Sequence, residues 1–202
     1  MAPPGIIAFC TSISTPGKCI QYLRNRHLLA VSMQCSDCHQ DMNSITRNSV
    51  RDGECWSCST CRKQRSIRND SFFSQSRLTL QDLTAIIYFY ALDFQIYHTL
   101  RLLPHLSKTT VIDWYNFCRD ICTERLKRSP IQLGGDVHLD TEIVELDESL
   151  FGKKRKYGRG RVTRQQWVFG LVERHTRKCV LYLVPDRKKT TLLPLIQKTC
   201  QA

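Results

Sequence analysis

The sequence predicts a mixed chain of the α+β or α/β class in three parts. A cysteine-rich segment built on hairpins comes first, a helical middle follows, and three strands with one helix close the chain. Three observations carry this. Five of the eleven cysteines fall between residues 35 and 61, among Ser, Asn and an Asp52-Gly53 pair that punctuate hairpins. From Leu80 the apolar residues recur at helical spacing. Beyond Gly134-Gly135 the pattern changes to short β-rich runs.

Residues 1–17, rich in Pro, Gly, Ser and Thr, read as a disordered leader. Residues 18–77 hold a short helix, Lys18 to Leu29, and then the cysteine segment. Residues 78–133 are helical. Leu83, Ile86, Ile87, Tyr90 and Ala91 define a helix to about Asp93, and a looser helical stretch, Tyr97 to Leu103, ends at Pro104. Ser107 caps a long helix with Val111, Trp114, Tyr115, Cys118, Ile121 and Cys122 on one face. Residues 134–202 carry strands at Glu142 to Leu150, Gln166 to Val172 and Cys179 to Val184. A last helix follows, capped by Thr190, with Pro194 in its first turn.

The net charge of +12 is concentrated at the two ends. Residues 1–80 carry ten basic and five acidic side chains, residues 81–140 six and seven, and residues 141–202 fourteen and six. Such local excess fits a polyanion partner. No helix carries the basic stripe that would suit a membrane surface. No apolar run approaches the roughly eighteen residues that span a bilayer. The apolar patch near the start has no basic residue ahead of it, unlike a secretory signal. An odd cysteine count, clustered in one segment, suits a metal site and free thiols in a reducing compartment.

Cys35-Ser-Asp-Cys38 and Cys58-Ser-Thr-Cys61 are two C-x-x-C knuckles with nineteen residues between them, the spacing of a four-cysteine zinc ribbon. Zinc would stabilise a segment too small to bury much apolar surface. Cys55-Trp-Ser-Cys58 is also C-x-x-C, so Cys55 with Cys58 is an open alternative. The basic tract Arg62-Lys63-Gln64-Arg65, with Arg68, suits phosphate contacts or a solvated face. In the middle, two helices around Pro104 form a helix-turn-helix candidate with Lys108, Thr109, Thr110, Asp113 and Asn116 exposed. A plain helical bundle is the alternative.

Val144-Glu-Leu-Asp-Glu-Ser149 places Ile143, Glu145 and Asp147 on one strand face and Val144, Leu146 and Glu148 on the other. A carboxylate in an apolar strand needs a partner. Mg²⁺ or Mn²⁺, which take hard oxygen ligands, would supply one, and so would a nearby arginine. The basic run Lys153, Lys154, Arg155, Lys156, Arg159 and Arg161 follows at once, as a DNA-contacting arm.

These residues resemble a known family. Glu145-Leu-Asp-Glu-Ser-Leu-Phe-Gly152, the basic run and Trp167-Val-Phe-Gly170 are similar to the start of a DDE transposase catalytic domain. The nearest likeness is to the Merlin superfamily and its short bacterial, ISXO-like relatives. Val184-Pro-Asp-Arg187, Thr191-Leu-Leu-Pro-Leu-Ile196, Trp56-x-Cys58-x-x-Cys61, Ser66-Ile-Arg68, Ser71-Phe-Phe73 and Trp114 to Cys122 extend the resemblance.

It implies a partial RNase H-like domain, a zinc ribbon ligated by Cys35, Cys38, Cys58 and Cys61, and helix-turn-helix elements that bind double-stranded transposon ends. It also implies metal-dependent DNA cleavage and strand transfer, with Asp147 as first catalytic aspartate and Mg or Mn ligand, and it is compatible with a homo-oligomer. The family's second and third acids lie on later elements, and Asp186 does not replace them. The expectation is therefore a C-terminally truncated, catalytically incomplete transposase. The alternatives are a domesticated DNA-binding or regulatory protein and, more distantly, a zinc-ribbon protein of the transcription or ribosome machinery. DNA as partner implies the nucleus in a eukaryote and the cytoplasm otherwise.

Overall fold

The computed structural model describes residues 4–135, 143–152 and 165–200. Among them are helices α1 (Ile6–Ser12), α2 (Pro16–Arg24), α3 (Leu80–Ala91), α4 (Ile96–Leu102), α5 (Lys108–Arg128) and α6 (Lys189–Thr199). The strands are β1 (Met42–Thr46), β2 (Glu54–Cys58), β3 (Gln64–Ser66), β4 (Val144–Phe151), β5 (Gln166–Glu173) and β6 (Cys179–Val184). They form two antiparallel three-stranded sheets, ordered β1-β2-β3 and β4-β5-β6. The chain divides into two compact units at Ile121/Cys122, inside α5 and ahead of the glycine pair.

In the first unit the ribbon and the helices share one core. Leu23 from α2, Leu83 and Ile86 from α3 and Val111 from α5 meet Trp56 and Phe73 there. The four aliphatic side chains have no exposed surface, and burial of that kind contributes about 1.5–3 kcal/mol each. The Thr15 hydroxyl accepts the Lys18 N–H at 3.3 Å and Pro16 opens α2, so the helix starts earlier than its periodicity suggests. It also stops earlier, at Arg24, and His27 turns away with φ 56°.

Residues 6–12, expected within a disordered leader, form α1 instead. Phe9 is 1% exposed. Its ring stacks on Tyr88 with centroids 3.7 Å apart and meets Tyr22 edge-on at 5.8 Å. The Tyr88 hydroxyl donates to the Pro4 carbonyl, and Gln81 Nε2 donates to the Ile13 carbonyl at 2.8 Å. Composition gives no sign of an aromatic contact between residues so far apart in sequence. Phe9→Ala is expected to lower stability by about 3 kcal/mol. A thermal melt superimposable on the parent's would show that α1 is not docked.

α5 begins as its cap suggests, with Ser107 Oγ accepting the Thr110 N–H at 3.1 Å. Val111, Trp114, Tyr115 and Cys118 are buried, whereas Ile121 and Cys122 are exposed. The buried stripe therefore ends one turn sooner than expected. The Tyr115 hydroxyl pairs with Thr99 Oγ1 at 2.7 Å and donates to the Phe94 carbonyl at 2.9 Å, tying α5 to α4 and the turn before it.

In the second unit α6 covers one face of the sheet, closing Leu133, Phe169, Leu171, Val184 and Leu192 into a small core. Leu133 pairs with Cys200, its N–H donating to the Thr199 carbonyl at 2.8 Å. Gly134 and Gly135 follow with φ 71° and 111°, conformations that side-chain-bearing residues avoid. The Gly134 N–H donates to buried Glu173 at 2.9 Å. The Thr176 hydroxyl and this N–H hold the Glu173 carboxyl below its usual range. Thr190 does not cap α6. Lys188 holds that position, and Asp186 accepts the Lys188 N–H at 3.0 Å and the Thr191 hydroxyl at 2.7 Å. Pro194 is the sixth helical residue rather than a first-turn one, so α6 forgoes one internal hydrogen bond.

Candidate metal centre and the acidic strand

The tight turn after each knuckle's first cysteine brings its second cysteine back beside it, and the β1–β2–β3 sheet brings the two knuckles together. The Sγ atoms of Cys35, Cys38, Cys58 and Cys61 all lie within 4.8 Å of one another. Individual separations are 3.3 Å for Cys35–Cys61, 3.4 Å for Cys38–Cys58 and 3.8 Å for Cys38–Cys61. Tetrahedral zinc with Zn–S bonds of about 2.3 Å needs an edge near 3.8 Å, so the four thiols fit such an ion.

Their surroundings also fit. Backbone N–H groups of Cys38 and Asp37 point at Cys35, and with the Cys61 thiol they lower its pKa to about 6. The Cys61 and Thr60 N–H groups lower Cys58 in the same way. The Lys63 N–H favours a Cys61 thiolate, but the Cys35 and Cys58 thiols outweigh it and push Cys61 up to about 12. Four thiols this close cannot all ionise unaided, and a divalent cation removes that conflict.

Cys55 stands apart. It alternates with Trp56 along β2 and pairs with Ile45 and Ser66, so it lies outside the four-thiol group. Outside the thiols, Lys63 Nζ meets Asp37 at 2.5 Å and Arg65 donates to the Ser36 hydroxyl at 2.6 Å, both across the two knuckles. The Lys63 ammonium holds the Asp37 carboxyl below its usual range.

Arg68, grouped by sequence with surface phosphate contacts, is instead buried. It meets Asp52 through two hydrogen bonds of 2.8 and 2.5 Å, with side chains 4% and 8% exposed. Asp52 reads in the sequence only as turn punctuation beside Gly53. In sequence Arg68 ends a basic tract and is followed by Asn69-Asp70-Ser71, so nothing local marks it as an arginine that needs an internal partner.

The acidic strand differs from expectation in one respect. Antiparallel register places Glu145, Asp147 and Ser149 beside Val172, Gly170 and Val168 on one face. Phe169 and Leu171, buried under α6, lie on the other. Asp147 is exposed, and its carboxylate accepts the Glu148 N–H at 2.9 Å. The cost of burial therefore gives no reason for a metal there. Its face also carries Leu181 and Leu183, exposed by 65% and 76%. Arg174 takes Glu145 rather than Asp147, at 2.5 Å. Among the described residues, no group of three or more metal-ligating side chains includes Asp147.

The arm residues Lys153, Lys154, Arg155, Lys156, Arg159 and Arg161 lie outside the described residues. On α5, Lys108, Thr109, Asp113 and Asn116 are exposed and Thr110 is half-buried. No described helix is long and apolar enough to cross a membrane.

No curated protein and no solved structure matches the chain. A family model does match part of it, and that part is the unit holding the acidic strand. Residues 132–202 match the ISXO2-like transposase domain, and this segment is related to the ISXO-like transposases.

Proposed function

We propose that the protein binds duplex DNA through its metal-stapled ribbon and the α3–α5 helices, and that its second unit is the opening part of an RNase H-like DDE transposase domain. The observation that carries this reading is the family match over residues 132–202; Asp147, exposed on β4, falls within that segment and supports it. An exposed carboxylate on a rigid strand is well placed to offer oxygen to Mg²⁺ or Mn²⁺. Such ions activate the attacking oxygen and stabilise the leaving one in phosphodiester cleavage. Asp147 would be one ligand, with the other acids supplied from elsewhere. The basic run after β4 would contact DNA phosphates, and the ribbon would hold zinc. The partner DNA is a transposon terminal repeat, met in the nucleus of a eukaryotic cell or the cytoplasm of a bacterial one.

A second reading, a DNA-binding or regulatory protein of transposase descent without catalysis, is favoured by the exposed Asp147 standing outside any acidic cluster among the described residues. One experiment separates the two. Duplex binding is expected to weaken steeply with salt, as released counterions require, and an affinity indifferent to salt would sink both. Neither reading expects this chain to nick DNA alone. Mg²⁺-dependent nicking that appears when a C-terminal half carrying the other acids is supplied, and that Asp147→Ala abolishes, would decide for the enzyme. Binding without nicking even then decides for the second reading.

A further inference from the structure

One cavity of the first unit is lined by none of the four clustered cysteines and by no residue of α5. It has a volume of about 270 Å³ and is lined by residues including Arg51, Asp52, Cys55, Ser66, Arg68 and Ser74. That is below the range of about 300–1,000 Å³ usual for organic ligands. Its chemistry is that of two guanidinium groups converging on one acceptor. Arg51 donates to the Ser76 carbonyl at 2.9 Å, and Arg68 donates to the same oxygen at 3.2 Å.

The negative charges nearby are already committed. Both Asp52 oxygens are taken by Arg68. Glu54, also in the wall, is held by Arg24 at 2.7 Å and by the Ser44 hydroxyl. Arg65 directs its guanidinium to Ser36. One fixed, neutralised arginine and one exposed arginine therefore share a neutral carbonyl, and the cationic surplus belongs to Arg51 and to Arg65, the latter already directed at Ser36. Guanidinium recognises phosphate oxygens with paired N–H donors, and several of the ten N–H groups on the two arginines have no use in the bonds just named.

We propose that this cavity seats one phosphodiester group of the DNA backbone, with Arg51 as its mobile donor and the Arg68–Asp52 pair as its rigid floor. It would then be a phosphate contact at the side of the ribbon, set by strand β3 and the 50–52 and 74–76 loops. The inference rests on the DNA-binding reading above and adds the place of one contact to it.

The test uses the full zinc-loaded chain and the variants Arg51→Gln and Arg51→Lys. Arg51 is exposed, so both are expected to fold as the parent does. On duplexes of unrelated sequence, Arg51→Gln should weaken binding to all of them alike. The slope of log affinity against log salt should shrink by about 0.9, the share of one phosphate. Arg51→Lys, which keeps the charge, should retain the slope. In parallel, inorganic phosphate is titrated while the amide resonances of Cys55, Ser66 and Ser74 are followed. Saturable shifts in the parent that vanish in Arg51→Gln are expected.

Intact DNA binding with an unchanged slope in Arg51→Gln overturns the proposal. If phosphate still titrates in that case, the cavity takes free phosphate rather than DNA. A parent that binds no DNA overturns the broader reading, and the phosphate arm then reports on the cavity alone. A parent whose amides ignore phosphate refutes the anion site itself.

Discussion

Removing the metal from the ribbon, or replacing Cys58 with serine, is expected to unfold the first unit as a whole. The four Sγ atoms are gathered within 4.8 Å, and a structural zinc ion supplies on the order of 10 kcal/mol of folding free energy in segments of this kind. That is comparable with the total stability of an ordinary domain, about 5–15 kcal/mol. The damage would not stay local, because Cys35, Cys58 and Trp56 belong to the same core as Leu23, Leu83 and Trp114. Metal analysis should find one zinc per chain in the parent and none in Cys58→Ser. Cys55→Ser should keep its zinc, because Cys55 stands outside the four-thiol group. A Cys55→Ser chain without zinc would show that the knuckles are paired differently. A parent chain without zinc would dismiss the ribbon.

Asp52→Ala is expected to be the most damaging substitution away from the thiols, at about 3–5 kcal/mol. Its effect comes from what it leaves behind. Arg68 is 3% exposed, and without Asp52 its guanidinium keeps only the Ser76 carbonyl among the partners described above. A buried cation without its counter-charge is far more costly than a missing pair. The double variant Asp52→Ala/Arg68→Met should therefore recover much of the loss, since it removes the orphaned charge and keeps an apolar stem of similar reach. Chemical denaturation of the three proteins measures this. Asp52→Ala within about 0.5 kcal/mol of the parent, the usual range for surface changes, would mean that the pair is solvated.

How far the sequence could be read follows from the range of the interactions involved. The knuckles were legible because a metal turn is local: four thiols in two C-x-x-C units leave few ways to fold. Strand β6 was legible to the residue, and β4 and β5 nearly so, because alternation is also local. The start of α5 was written in Ser107. What could not be read was contact across distance. Phe9 on Tyr88, Asp52 on Arg68 and Leu133 on Cys200 each join segments that nothing in the intervening sequence marks as neighbours. Asp147 shows the same limit at the site. Its place on the face opposite Leu146 followed from alternation, but its exposure depended on which face α6 covers. The transposase relation was legible because it rests on several short motifs in fixed order, and the segment that matches the family begins near the same glycine pair.

The acidic strand has another consequence. Among the described residues β4 pairs only with β5, so within them its other edge is unpaired, and exposed edges invite pairing between molecules. Glu145, Asp147 and Glu148 place three carboxylates in four residues of that strand, of which Glu145 is paired with Arg174 and two remain uncompensated in the bonds described. Two copies meeting there would bring like charges together, and charge on an edge disfavours such pairing. Replacing Asp147 removes one of those charges as well as any role in catalysis. A sizing profile therefore belongs beside every cleavage assay of such a variant, because a drop in activity could equally reflect molecules lost to self-association.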